Sequence, residues 1–399
     1  ITYDLEMLNI INNAKRLGFS VNSVVIKKKK NQPSVDKFIK RLERQNIKTY
    51  IHTYTKGYPT DVETIVSEEG YGANPYIETT KKLVLVNAPG PGSGKLATCL
   101  SQLYHEHKRG INAGYAKFET FPVWNLPLKH PVNIAYEAAT ADLKDINMID
   151  PFHLEKYNIN AVNYNRDVET FPILKNILHH ITGKDIYFSP TDMGVNMVGY
   201  CIKNNDIVEN AAKKEVVRRY FNELCNYKQG ISDFDTVQKI KLLMNELNID
   251  ENFLKVVEVS KKASEKKKTN VIALELPKGK IITGKQTDLL SPASSVIINA
   301  IKELSKIPDE INLLSPTILE PILKLRKNNN TLSLQEVLIA LAVCSVTNPS
   351  IASALEKLEV LKDCEAHATY IVTNGDLKAL KSLKINLTCE PNFYSKEIM

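Results

Sequence analysis

A chain of 399 residues, 43% hydrophobic and 24% charged, has the make-up of a folded globular protein and room for two or three domains. Its formal charge of +7 is spread along the sequence, and the basic runs 27–30 and 261–268 carry no interleaved aromatics, which argues against a nucleic-acid partner. Six scattered cysteines with no C-x-x-C pair point away from a zinc knuckle or a disulfide framework and suit a reducing cytoplasm, and no apolar run nears the roughly 18 residues of a membrane span.

Taken in chain order, the pattern opens as helix 4–17, strand 21–26, helix 34–45, strand 49–53 and helix 60–69. Strand 83–86, a glycine-rich turn, helix 95–108 and strand 115–119 follow. Alternation of this kind implies a parallel sheet covered on both faces, a three-layer αβα domain over residues 1–200. From Pro122 the pattern gives way to long polar and aromatic segments around a helix at 134–143, which reads as site-forming. Helices at 206–227 and 234–255 make a helical segment over 201–260. A C-terminal α/β domain, 261–399, begins after a lysine-rich linker. Its expected elements are strands 271–276 and 280–283, helices 293–304, 318–326 and 334–344, strand 370–373, helix 377–383 and a last strand near Leu387. The chain starts at Ile1 inside a helical pattern, the expectation for a piece of a longer protein.

The glycine turn, APGPGSGK at 88–95, has the order of a phosphate-binding loop. Gly90, Gly92 and Gly94 allow a nest of inward N–H groups, Ser93 adds a hydroxyl, and Lys95 opens a helix aimed at the anion. Leu96, Cys99, Leu100 and Leu103 form an apolar stripe for docking that helix. Against the usual G-x-x-x-x-G-K-[ST], the first glycine is one residue late, Pro89 and Pro91 lack N–H donors, and Leu96 stands where a Mg²⁺-binding hydroxyl belongs. Thr98 lies about 200° around the helix from Leu96. The plain alternative is a strand-to-helix turn with an exposed lysine.

Strand 115–119, AGYAKFETF in context, resembles the strand of the dethiobiotin synthetase branch of P-loop proteins that brings a lysine to the substrate side. That resemblance implies that Lys117 and Glu119, which share one strand face, meet the outer phosphate region. The alternative is a pair of solvent-facing edge charges. Asn163, Asn165 and Arg166 offer neutral donors and a cation for a polar or anionic substrate, and the turn-rich segment 189–199, with Asp192, reads as a substrate loop or a hinge. His105 and His107 point about 200° apart on a helix and cannot share one ion, so no metal site is expected. Asp150 before Pro151 reads as an N-cap. Gly284-Lys285 reads as a strand-to-helix connection.

The runs GYPTDVETIVSEEGYG, LSQLYHEHKRG, NMIDPFHLE and SPTDMGVNM, with the glycine turn, resemble a bacterial family of uncharacterised proteins, a domain of unknown function. Some of its members carry an ATP-dependent peptidase label, for which this sequence offers neither a zinc motif nor a nucleophile triad. The resemblance implies an α/β sandwich, a helical segment and a C-terminal α/β part, but no reaction. The expected function is binding of ATP or another nucleotide, with or without Mg²⁺, at Gly90, Gly92, Ser93, Gly94, Lys95 and Thr98. Lys95, Lys117 and Glu119 would then transfer or activate a phosphoryl group toward a small polar substrate. The alternative is a non-catalytic sensor or assembly protein for a phosphate-bearing ligand.

Overall fold

Leu8 and Ile11, spaced one helical turn apart, are buried on the first helix, Tyr3–Arg16. They meet Val24, Leu42 and Ile47 in a small core. The strand Ser23–Lys27 and the strand Lys48–His52 run parallel, joined by the helix Pro33–Glu43, whose first residue is a proline that needs no N–H partner there. Their register sets Lys27 opposite His52 at the carboxyl ends of both strands. The computed structural model describes residues 3–90, 92–119, 121–325 and 331–394. Ile1, Pro91 of the glycine turn and Arg326 at the end of an expected helix lie outside them.

Contacts divide the chain into two units, residues 1–127 with 147–201, and residues 128–146 with 202–399. Both are mixtures of α and β. In the first, the described strands form three separate pairs, two parallel and one antiparallel, rather than one sheet. The expected strand 83–86 is irregular chain without a ladder, and Leu83 and Leu85 are 79% and 68% exposed. Four consecutive apolar residues favour strand, but a strand exists only against a partner, and none pairs there among the described residues. The expected helix 60–69 is a single turn, Val62–Ile65, capped by Asp61. The Ser67 hydroxyl donates to Thr64 O and accepts from the amides of Glu69 and Gly70, a local alternative that ends the helix.

The helix Lys95–Lys108 forms as expected but buries Thr98, Leu100, Ser101, Leu103 and Tyr104, leaving Leu96 exposed. Leu100, Leu103 and Tyr104 pack with Leu174, Ile177 and Leu178 of the helix Asn165–Thr182. Strand 115–119 shrinks to Lys117–Phe118, parallel to Gly194–Val195. The strand Asn147–Ile149 pairs antiparallel with Val162–Tyr164. Between them Asp150 caps the helix Pro151–Tyr157 through the amides of Phe152 and His153.

In the second unit the helices Pro131–Ala139, Asn205–Lys228 and Phe234–Glu246 pack on one another. The lysine-rich stretch is the helix Lys255–Lys267, not a linker, because Val256, Val257 and Ser260 give it a buried face. A four-stranded sheet runs in the order Asn386–Cys389, Glu365–Ala368, Val271–Glu275, Ile281–Lys285. The strand expected at 370–373 lies at 365–368 instead. Its glutamate and histidine disguise it, and both are paired: Glu365 with Arg218 at 2.7 Å and His367 with Glu390 at 3.1 Å. Gly284 sits within a strand rather than a strand-to-helix connection. A Cβ there would stand 2.1 Å from the amide nitrogen of Val296, so glycine lets the helix Pro292–Leu304 lie on the sheet.

Candidate functional site

The glycine turn holds Gly92 and Gly94 at φ of 69° and 81°, the left-handed region that favours glycine. Its own polar side chains are folded back on it. The Ser93 hydroxyl and the Lys95 ammonium both donate to Gly90 O, and the Thr98 hydroxyl donates to Gly94 O at 3.1 Å. What the turn faces is Lys27. A Cβ on Gly94 would lie 2.6 Å from Lys27 Cδ and 3.0 Å from its Nζ.

Lys27, read from sequence only as the start of a basic run, is the last residue of its strand and half-buried. Burial lowers its pKa to about 8, with the Cys99 thiol opposing the fall and Lys28 adding to it. No carboxylate is among the groups acting on it. Beside it His52 is 1% exposed, and neither ring nitrogen has a hydrogen-bond partner among the described residues. Burial, Lys27 and His105 push the His52 imidazole down to about 4. Burial pushes the Cys99 thiol up to about 11 despite Lys27. The carboxyl ends of two parallel strands, a helix N-terminus and an uncompensated cation therefore converge where α/β folds take anionic ligands.

A second polar cluster gathers Lys117, Glu119, Tyr164 and Asp167. Lys117 Nζ is 2.5 Å from Glu119 Oε1, 2.5 Å from Asp167 Oδ1 and 2.6 Å from the Tyr164 hydroxyl. Burial alone would lower the Lys117 pKa, but Glu119, Asp167 and Tyr164 together raise it, so the ammonium stays charged. Burial raises the Glu119 carboxyl against the pull of Lys117, with Asp167 adding to the rise. Burial pushes Tyr164 up to about 12, opposed by Lys117. Asp167 Oδ2 is sealed from solvent without a hydrogen-bond donor among the described residues. Tyr115, its pKa raised chiefly by burial, is acted on by both Cys99 and Lys117, so the cluster and the glycine-turn helix share a neighbour.

Around this cluster the side-chain amide of Asn163 reaches Thr191 Oγ1 at 3.4 Å, and Thr191 donates to Asp150 Oδ2 at 2.6 Å. Arg166 lies over the Tyr164 ring, 5.6 Å from its centroid, and Asn165 begins the helix Asn165–Thr182. Asp192 accepts from the Tyr157 hydroxyl and the Phe188 amide. Lys117 and Glu119 are thus brought together, whereas the Asn163 side chain turns to Thr191 and Lys95 is engaged by its own turn. Lys117 and Glu119 are not edge charges. Sequence reading passed over Lys27, His52, Tyr164 and Asp167. Tyr164 and Asp167 sit inside the run that yielded Asn163 and Arg166, and only the pairing with Lys117 distinguishes them. His105 and His107 are tied to the carbonyls of Asn74 and Ala113. No three His, Cys, Asp or Glu side chains among the described residues cluster as metal ligands.

The sequence matches the family model described as "Domain of unknown function DUF1846, N-terminal" over residues 1–248 and its C-terminal counterpart over 252–399. The chain belongs to the DUF1846 family. Similar curated proteins include a "UPF0371 protein" of Clostridium botulinum (strain Alaska E43 / Type E3), 55% identical over all of this chain and 82% of the relative. Another, from Clostridium tetani (strain Massachusetts / E88), is 53% identical with the same coverage. The family boundary near residue 250 falls after the helix Phe234–Glu246. No helix among the described residues of this DUF1846 member is long and apolar enough to cross a membrane.

Proposed function

We propose that the first unit binds a phosphate-bearing small molecule, a nucleoside triphosphate in the fullest form, at the glycine turn. In this reading the turn works in the manner of a P-loop within a three-layer α/β arrangement, with Lys27 as its principal cation and Lys95 able to swing in from the rim. The observation that carries it is Lys27 itself, a half-buried ammonium set against Gly94 with no carboxylate paired to it among the described residues. A phosphate would supply the missing charge and accept from the amides of the turn. Lys117 would steady charge developing on a transferred group, and Glu119, its pKa raised by burial, would exchange a proton with a polar substrate.

A second reading is ligand binding without turnover, in a sensor or assembly protein. It is favoured by Leu96, which offers Mg²⁺ no hydroxyl, and by Thr98, whose hydroxyl is engaged by Gly94 O. Any Mg²⁺ would then be held by the ligand's own phosphates and water. Thermal shifts with phosphate, ADP and ATP, with and without Mg²⁺, test the binding, and release of phosphate from ATP separates the two readings. No shift with any of the three overturns both.

A further inference from the structure

A separate constellation in the first unit surrounds His153. Its Nδ1 is 2.9 Å from Ser189 Oγ and 3.5 Å from Asp192 Oδ1. Both partners are themselves fixed. Ser189 Oγ accepts from the Asp192 amide at 3.0 Å, and Asp192 Oδ2 accepts from the Tyr157 hydroxyl at 2.9 Å and the Phe188 amide at 3.1 Å. The carboxylate beside Nδ1 favours the proton on that nitrogen, which leaves the lone pair on Nε2. Among the described residues Nε2 has no hydrogen-bond partner, and it is not one of the atoms sealed from solvent. The imidazole has two aromatic neighbours, Trp124 at 6.0 Å and Tyr157 at 4.8 Å between centroids, and Tyr200 lies 6.1 Å from Trp124. Trp124 is pinned by its Nε1 donating to Asn196 O at 2.9 Å, while Tyr157 and Tyr200 are 41% and 63% exposed.

We propose that His153 is the acceptor of a second ligand site, one that takes a hydroxylated ring of the sugar or nucleoside-ribose type. The aromatic rings would cover the C–H face of such a ring, and Nε2 would accept a proton or hydrogen bond from one of its hydroxyls. Orientation of an imidazole through Nδ1 by a carboxylate, with Nε2 left to the reactant, is the arrangement a general base requires. The claim does not depend on phosphate binding at the glycine turn, since none of its residues belongs to that turn.

Trp124 is the one tryptophan of the chain, so its emission reports on this site alone. The probes are methyl glucoside, ribose and adenosine, titrated against the full chain and against His153→Gln and Tyr157→Ala. Carbethoxylation by diethyl pyrocarbonate, mapped by mass spectrometry, tests Nε2 independently of any ligand: the nitrogen bonds to a carbonyl carbon and ethyl carbonate leaves. The proposal expects a saturable change in Trp124 emission with at least one probe, weakened at least tenfold in both variants. It also expects carbethoxylation of His153, which is 8% exposed, at a measurable rate below that of exposed His179 and His180, and slowed by the bound probe. It is overturned if His153 stays unmodified while His179 and His180 react. It is equally overturned if no probe changes the emission, or if the probes act alike on the parent and on a His153→Gln variant that melts with it.

Discussion

Lys27 occupies the space that any side chain on Gly94 would need, with its Cδ 2.6 Å and its Nζ 3.0 Å from where a Cβ would stand. One residue ends a strand and the other precedes a helix, and together they put a poorly solvated cation under a helix N-terminus. Stability and ligand binding should respond oppositely when Lys27 loses its charge, and should fall together when Gly94 gains a side chain.

Lys27→Met removes a charge that folding partly desolvates. A lowered pKa means stability is fully present above the unfolded value of 10.5 and is lost as pH falls through about 8. The variant should therefore be more stable than the parent at pH 7, by about 1 kcal/mol after allowance for solvent screening. Urea unfolding between pH 7 and 10.5 should show the parent gaining on the variant as pH rises. A variant less stable at pH 7 would contradict the assignment.

Gly94→Ala sets a Cβ at φ 81° against Lys27. The left-handed conformation costs about 1–2 kcal/mol for a non-glycine residue, and the flexible lysine end must move aside. Thermal unfolding should register that loss, and phosphate affinity should fall further than with Gly90→Ala, where a Cβ meets open space.

His52 carries an acid-lability prediction. Its imidazole, held down at about 4, lends stability that is intact above about 6.5 and lost as pH falls through about 4. His52→Leu should flatten the acid side of the stability profile over that window, as followed by circular dichroism. A parent and variant with superimposable acid transitions would show that His52 stays uncharged for another reason.

At the second cluster, Lys117→Met strands the buried Asp167 and the half-buried Glu119, at a cost of about 3 kcal/mol. Lys117→Met combined with Glu119→Gln and Asp167→Asn should recover most of that stability, since no uncompensated charge remains. Denaturant midpoints of the single and triple variants check it.

Much of the framework could be read from spacing. Helices 95–108, 206–227 and 293–304 followed from apolar residues at three and four positions, and Asp150 before Pro151 announced its cap. What sequence could not supply was the identity of partners. Leu83 to Val86 looked like a central strand because apolarity records burial preference and not the presence of a neighbour. The strand Glu365–Ala368 was hidden because its polar residues are paired with Arg218, Thr388 and Glu390, all distant in sequence from it or carried on another element. The candidate site divided likewise. Glycines and Lys117 stood out by local pattern, whereas Lys27 and His52 matter only through strand register, which no local pattern reveals.

Calorimetric titration of ATP and of inorganic phosphate at pH 8, repeated in buffers of differing ionisation enthalpy, tests the phosphate site most directly. An anion seated against Lys27 raises its pKa, so binding should take up about half a proton at that pH. The uptake should vanish, with affinity lowered at least tenfold, in Lys27→Met. Binding of equal strength in parent and variant, or no binding heat with either ligand, would contradict the assignment of the glycine turn and Lys27 as an anion site.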